Sequence, residues 1–433
     1  MKMTLETQHA AFLLLSMRKC NSKKMNNDIN MFDASPRTGI MKSATMPDDW
    51  GDITYAPRIL SQNESLAKYD SLILTSVLFL TGIGIIMVYS ASSAIAIKNY
   101  GSEYFFLRKQ FTFSLLGCIV MIIFRNIPYQ WYKRLAYPGL MISIFLLISI
   151  FFPGFGHRAG GAVRWIHIWG VSFQPAEIAR FAIILYMAYS LDKKKERLRN
   201  FSIGIIPHAL FVGMFLILIA MQPDFGSVVI IATLTFLMLF AGGIPIRHLL
   251  GCVLIFIPTA YYLVINAPYR LQRILTFLNP WQYRTEAGYQ IIHSLMAFGT
   301  GGFWGAGLGK GYQKLFYLPE PHTDFIFSVI GEELGLIGVL VILTLYGLII
   351  WRGFSITLSI NDIFGACLAL GFTSAVALQV CINLSVTLGL LPTKGLTLPF
   401  LSYGGTSLIC HMAVMGILMN IGSQVKSKHG PLP

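Results

Sequence analysis

Asp324 is the residue in this sequence best placed for acid–base chemistry. It closes the polar run Tyr317-Leu318-Pro319-Glu320-Pro321-His322-Thr323-Asp324 immediately ahead of a long apolar stretch. Its carboxylate therefore falls at a lipid–water boundary, where it could act as general base toward an alcohol such as a sugar hydroxyl. The competing reading is structural: Thr323 or Asp324 caps the following helix, whose first N–H groups lack partners. A helix dipole favours the ionised carboxylate and burial opposes it, so the sequence alone does not sign the pKa shift. His322 either orients Asp324 or is a solvated loop histidine.

Arg164 and Lys394 are the cations that complement such a base. Breaking a sugar–diphosphate bond puts charge on phosphate oxygen, and fixed cations there stabilise the transition state; the alternative is that both snorkel to the interface. Trp165, next to Arg164, either stacks on a sugar or isoprenoid or belongs to an interfacial aromatic belt. Gln174, Glu320 and Ser402 complete the candidate substrate-binding set, all in loops expected on the same face. Glu177 and Arg180 stand one turn apart and are expected to pair within their own helix. Glu332 and Glu333 lie about 12 Å deeper than Asp324 at 1.5 Å rise per residue. Carboxylates at that depth need partners, and Arg180, Arg247, Lys394 or a bound proton are the candidates.

The elements that must carry these groups are membrane helices. Hydrophobic residues make up 55% of the 433 and charged residues 12%, about half the charged share of a soluble domain. The charges are bunched between apolar runs without period-two alternation, which favours helices over a barrel. The expected fold is all-α, a polytopic bundle of ten spans: residues 71–96, 105–124, 135–152, 175–191, 202–221, 227–243, 248–267, 325–351, 363–391 and 403–421. Residues 1–67 are expected to be a cytoplasmic, largely disordered tail, with Met41 and Met46 as alternative starts; residues 68–425 form the membrane domain and 426–433 a C-terminal tail. Short connections rich in Lys193, Lys194, Lys195, Arg197 and Arg199, or in Arg125, Lys133 and Arg134, place both termini in the cytoplasm. The long connection 268–323 then lies outside, yet carries Arg270, Arg273, Arg284, Lys310 and Lys314. It is either a solvated loop or a basic vestibule for an anionic, lipid-borne substrate, with Ile291–Phe298 as a short interfacial helix.

The net charge of +14 lies mostly in the connections between apolar runs, where membrane topology accounts for it, so nucleic acid is not the implied partner. The cysteines form no CxxC, and neither a GxxxxGK[ST] loop nor an HExxH appears. Energy must come from the substrate or from an ion gradient. No metal ligand set stands out, although Mg2+ or Mn2+ is an alternative counter-charge for a diphosphate.

Longer motifs bring these residues together. Gly161–Trp165 with Ser172–Glu177, Pro319–Phe325 running into Gly331-Glu332-Glu333-Leu334-Gly335, and Pro399–Gly405 resemble the SEDS family (shape, elongation, division and sporulation) over about residues 68–425. Gly307-Leu308-Gly309, Gln313-Lys314-Leu315 and Thr393–Pro399 resemble its division branch more than its elongation branch. The resemblance implies a ten-helix peptidoglycan glycosyltransferase acting outside the plasma membrane on lipid II, a disaccharide-pentapeptide on undecaprenyl diphosphate. It implies that Asp324 is the essential carboxylate, with Trp165 and Lys394 as the family's loop Trp and Lys. The partners implied are a class B penicillin-binding protein, other division proteins and membrane lipid. The family pattern is departed from mildly at Ala176, Pro321 and Thr406.

Two other classes share some of these features. A lipid II flippase also carries intramembrane carboxylates and a basic cavity, but would move labelled lipid across vesicles without making polymer. A scaffold for the transpeptidase would tolerate substitution of Asp324 and Lys394.

Overall fold

The computed structural model describes residues 70–152, 156–159, 162–168, 171–285, 288–315 and 318–428. The expected tail over residues 1–67, Gly161, Tyr317 and residues 429–433 lie outside the described residues. Twelve helices longer than two turns occur among those described. They are α1 (Ser71–Tyr100), α2 (Phe105–Asn126), α3 (Tyr132–Ser149), α4 (Pro175–Lys194), α5 (Ile206–Met221), α6 (Phe225–Ala241), α7 (Ile246–Ile265), α8 (Pro268–Leu278), α9 (Gly288–Gly301), α10 (Ile326–Ser359), α11 (Ile363–Thr387) and α12 (Gly405–Lys428). Each of the ten expected spans is a helix. Residues 426–428, expected as tail, extend α12.

Local chemistry sets the ends. Gly101 adopts φ 70 and closes α1 by donating its N–H to Ile97, the left-handed stop that a Cβ would penalise. Pro175 opens α4, where its missing N–H costs nothing. Asp224 caps α6 through the N–H of Ser227 at 3.2 Å, and Asp362 caps α11 through Gly365 at 3.0 Å.

Six helical segments are long and apolar enough to cross a membrane by length and composition: Ser71–Tyr100, Phe105–Asn126, Phe201–Met221, Ile326–Ser359, Ile363–Thr387 and Gly405–Gln424. α6 and part of α7 are shorter apolar helices. Large apolar side chains such as Phe79, Phe145, Leu210, Leu254 and Ile255 face outward, while Gln110, Ser143, His208 and Gln379 are fully buried. This distribution suits a lipid surround, in which apolar exteriors carry no penalty and polar groups seek partners inside. α4, α11 and α12 are the inner helices, and α2 packs broadly along α12.

Two features depart from the expectation. The connection between α3 and α4 is a small antiparallel sheet, β1 (Gly156–Ala159), β2 (Ala162–Ile168) and β3 (Val171–Phe173), in the order β1-β2-β3. It carries Arg164 and Trp165 on a strand, not on an irregular loop. The second departure is the long connection. Its Ile291–Phe298 stretch is helical, within α9, and one face of it is packed inside the bundle: Ile291, Ile292, Ser294 and Ala297 are buried, while Leu295 and Met296 are exposed. The Ser294 hydroxyl sits 2.6 Å from that of Ser328 on α10 and donates to Thr387 O at 2.5 Å. α8 is the one-sided helix of this region, with Leu271, Leu275 and Leu278 exposed and Arg270 lying 3.6 Å over the Phe225 ring.

Candidate active site

Four connections converge beside the start of α10. They are the sheet before α4, the α5–α6 turn, the residues leading into α10, and the α11–α12 connection, with α8 reaching in from the side. The first turn of α10 settles the structural reading of Asp324. Its cap position is Phe325, and no side chain caps the helix. The Asp324 carboxylate accepts no hydrogen bond among the described residues. Its backbone is instead pinned from the inner helix α11: Asn383 Nδ2 donates to Asp324 O at 3.0 Å and to Leu396 O at 2.7 Å. One amide thus fixes the carboxylate-bearing residue against the connection that carries Lys394.

Gly395 is where the opposing charges meet. A Cβ built on it would lie 3.3 Å from Asp324 Oδ2 and 3.9 Å from Arg164 Nη1. Arg164 is held for this role by its other nitrogens, Nη2 donating to Pro223 O at 2.5 Å and Nε to Gln222 O at 3.4 Å. The turn supplying those carbonyls ends in Asp224. Asp224 is buried and takes Gln174 Nε2 at 3.2 Å besides the Ser227 hydroxyl at 2.8 Å.

Burial pushes the Asp324 pKa up to about 7; the charges of Glu320 and Asp224 push the same way, and Arg164 and Arg273 pull it back. A carboxyl so poised exchanges a proton near neutrality, as a general base must. Lys394 is partly buried, which lowers its pKa against the opposing influence of Asp224. It makes no hydrogen bond or ion pair among the described residues. Arg273, on α8, donates to Thr393 O at 3.3 Å, one residue from Lys394.

The other candidates divide sharply. Trp165 is half-buried on β2, opposite His157. His322 neither orients Asp324 nor faces solvent. Its ring is buried against Phe106 and Tyr403, with centroids 4.6 and 5.6 Å away, and Nε2 is 3.9 Å from Glu320 Oε2. That burial lowers its pKa. Glu320 is exposed, in a left-handed turn at φ 50. The Ser402 hydroxyl is spent on backbone, donating to Thr323 O at 2.6 Å and accepting Leu398 N–H at 2.7 Å. It staples the two connections together. Glu177 and Arg180 are buried and pair at 3.3 Å, and Arg180 also bonds Gln379 on α11. Glu332 and Glu333 do not pair with Arg180, Arg247 or Lys394 among the described residues. Lys314 is the cation beside them, at 2.5 Å from Glu333.

Asp224, Asn383 and Gly395 were missed from sequence, and Arg273 was read only as one cation of a basic vestibule. Asp224 was visible as the acid of a tight Gln-Pro-Asp turn, and Arg273 as one of several loop arginines, but nothing in the spacing singled them out. Among the described residues no group of three or more His, Cys, Asp or Glu could hold a metal. An apolar cavity of about 230 Å³ opens beside α10, lined among others by Phe298, Phe327, Leu336, Leu384 and Leu388. It begins at Phe327, one turn from Asp324.

A polytopic helical membrane protein with a neutral-range carboxylate facing fixed cations at one end of its bundle is the class these features define. The family model described as cell cycle protein, for FtsW, RodA and SpoVE, matches residues 70–427. The chain belongs to that family. It is 47% identical to the probable peptidoglycan glycosyltransferase FtsW of Trichlorobacter lovleyi over 368 residues, covering 85% of this chain and 97% of that protein. It is 40% identical to stage V sporulation protein E of Bacillus subtilis over 352 residues, covering 81% and 96%. The fold is similar to a chain solved in a study of how a peptidoglycan synthase complex coordinates polymerization and crosslinking, with TM-score 0.68, 28% identity, and 82% and 98% of the two chains covered. It is also similar to Thermus thermophilus RodA, with TM-score 0.61, 27% identity, and 82% and 96% covered. The chain is FtsW-like within the family, as its Gly307–Gly309 and Thr393–Pro399 motifs led one to expect.

Proposed function

We infer that this chain is a peptidoglycan glycosyltransferase that polymerises lipid II into β-1,4-linked glycan strands, with Asp324 as the general base. The observation that carries the assignment of Asp324 is its free carboxylate, uncommitted to capping and facing Arg164 across Gly395. A lipid-linked glycan binds as donor, its diphosphate among Arg164, Lys394 and Arg273. The acceptor lipid II presents its 4-hydroxyl to Asp324. As Asp324 takes that proton, the oxygen attacks the donor anomeric carbon with inversion. The carbon–oxygen bond to the diphosphate breaks and undecaprenyl diphosphate leaves. The cations stabilise the negative charge developing on the departing oxygens, and the apolar cavity beside α10 gives a prenyl chain a place next to the reacting head group. The diphosphate would bring any Mg2+ or Mn2+ with it, since among the described residues no group of three or more His, Cys, Asp or Glu is placed to hold one.

The site then faces the extracytoplasmic side of a bacterial inner membrane and both termini the cytoplasm, as the positive-inside rule favours. The implied partner is a class B penicillin-binding protein that crosslinks the new strands, together with other division proteins at the septum. Relatives named FtsW and the similarity to a synthase-complex chain support this reading.

The test is gel analysis of products from purified protein and lipid II, alone and with a cognate transpeptidase, with and without divalent cations. Asp324→Asn is expected to abolish chain growth while the bundle stays folded. Retained growth would remove Asp324 from the mechanism. Transfer of labelled lipid II across vesicles without polymer would make the chain a flippase.

A further inference from the structure

The segment leading to Asp324 is locked into a break in the helix that follows it. Inside α10, Gly335 has φ 63 and ψ −161, so the helical ladder is interrupted there. An interrupted ladder leaves carbonyl and N–H groups unpaired, at a cost of several kcal/mol each in hydrocarbon. The residues after α9 supply the missing partners. Ala306 and Gly307 donate to the carbonyls of Glu332 and Glu333 at 2.8 and 3.0 Å, while Leu336 and Ile337 donate to Gly302 and Phe303 at 3.0 and 3.4 Å. The backbones approach so closely that a Cβ on Gly301 would lie 2.0 Å from Gly331 O, and one on Gly305 2.2 Å from Glu333 O.

The same two glutamates then clamp the rest of the segment with their side chains. Glu332 accepts the N–H groups of Tyr312 and Gln313 at 2.7 and 3.2 Å. Glu333 accepts Gly309 N–H at 3.1 Å, the Ser90 hydroxyl at 2.8 Å and Lys314 Nζ at 2.5 Å. Lys314 also reaches Ser90 of α1 at 2.9 Å, and Glu332, Glu333 and Lys314 are all buried. From there the chain runs up to Asp324, with Leu318 N–H on Gln313 O at 2.8 Å. Asp324 therefore hangs between two anchors, this clamp below and the Asn383–Ser402 pins above.

We propose that the Lys314–Glu333 pair is a positioning device for the reaction, fixing residues 302–315, which precede the approach to Asp324, in the single register that presents Asp324 to its substrate. The proposal rests on the glycosyltransferase reading. Backbone bonds already close the helix break, and a buried ion pair adds little net stability over an apolar replacement. What the pair adds is one seat for Lys314 between α10 and α1, a role in register for which buried charges are best attested. A misplacement of about 1 Å at a reacting group costs up to about a hundredfold in rate.

The experiment measures lipid II polymerisation and thermal melting of the full chain in proteoliposomes. The variants are Lys314→Met, Lys314→Arg, and Lys314→Met combined with Glu333→Gln. The double variant removes both charges while keeping an acceptor for Gly309 and Ser90. It is expected to melt close to the wild type, yet to lose between about tenfold and a hundredfold in kcat with little change in KM for lipid II. Lys314→Arg is expected to recover most of the rate. A double variant that polymerises at the wild-type rate would show that the charges only neutralise each other. So would a rate loss no larger than the fraction unfolded. Failure of the wild type itself to make polymer would instead overturn the functional reading beneath this one.

Discussion

Charges at the two levels of this bundle are treated in opposite ways. Inside it, Glu333 has Lys314, Ser90 and a backbone N–H, Glu332 has two backbone N–H groups, and Glu177 has Arg180. At the rim, among the described residues, Asp324 has no hydrogen bond to its carboxylate and Lys394 no partner within ion-pair distance. Asp324 and Glu333 stand only a few turns apart along the same stretch of chain. The difference shows that the partners, not depth or residue type, separate a structural charge from a reactive one. A carboxylate whose oxygens are already spent on buried partners has a structural job, whereas one left facing cations across a gap is free to trade a proton.

That contrast is broken most directly by exchanging its terms. Lys394→Met at the rim is expected to cost about 10²–10³-fold in polymerisation rate, the usual toll for losing one preorganised stabiliser of a developing charge. Its melting temperature should stay the same or rise, because a partly buried cation without a partner has been removed. Arg180→Met in the interior is expected to do the reverse. It strands Glu177 and costs about 3–5 kcal/mol of stability, with activity falling only as folded protein is lost. Parallel melting and lipid II assays on both variants check the crossing. If Lys394→Met lowers stability and spares the rate, the rim is structural after all.

The helices were legible because long apolar runs leave the chain little choice in lipid, and Pro175, Asp224 and Asp362 mark their starts by ordinary capping chemistry. The rim charges Asp324, Arg164 and Lys394 were legible for a related reason, being costly groups at a boundary with no local partner to explain them. The small sheet was less so. Its alternation of Val163, Ile166 and polar residues is short and flanked by glycines, and it reads as loop. The break at Gly335 was not legible, since an isolated glycine in an apolar run ordinarily stays helical. The partner of Glu333 followed from it: Lys314 looked like part of an outer loop until the segment was seen threading back into the bundle. The packing of His322 on Phe106 and Tyr403, and the bonds of Ser402 to Thr323 and Leu398, were not legible either, because sequence shows which groups can bind a substrate but not which neighbours they meet.

Two smaller effects sharpen the rim's geometry and its charge in turn. Gly395 sits between the base and Arg164, and Gly395→Ala would place a methyl 3.3 Å from Asp324 Oδ2 and 3.9 Å from Arg164 Nη1. The first contact is tight enough that the Asp324 carboxylate must give by a few tenths of an ångström, the second is ordinary, and the backbone φ there is not left-handed, so the bundle should still fold. The methyl occupies space a hydroxyl and a phosphate oxygen would share, and a loss of roughly 3- to 30-fold in kcat/KM is expected. An unchanged value would place the reacting atoms elsewhere in the cleft.

The smallest expected effect is electrostatic. With Asp324 at a pKa of about 7, only its ionised form accepts the proton. The kcat/KM for lipid II should then rise with pH through that value and level off above it. Glu320 is among the groups that raise this pKa, because its negative charge disfavours a second one nearby. Glu320→Gln removes that repulsion, so Asp324 should ionise earlier and the rising limb should move to lower pH. Glu320 is exposed and its field is screened by water and salt, which limits the displacement to roughly a few tenths of a pH unit. Its contacts with Thr323 and His322 are compatible with an amide, so the plateau above pH 8 should be preserved. A limb that moves to higher pH, or a plateau that falls while the limb stays put, would mean that Glu320 acts on the substrate and not on the charge state of Asp324.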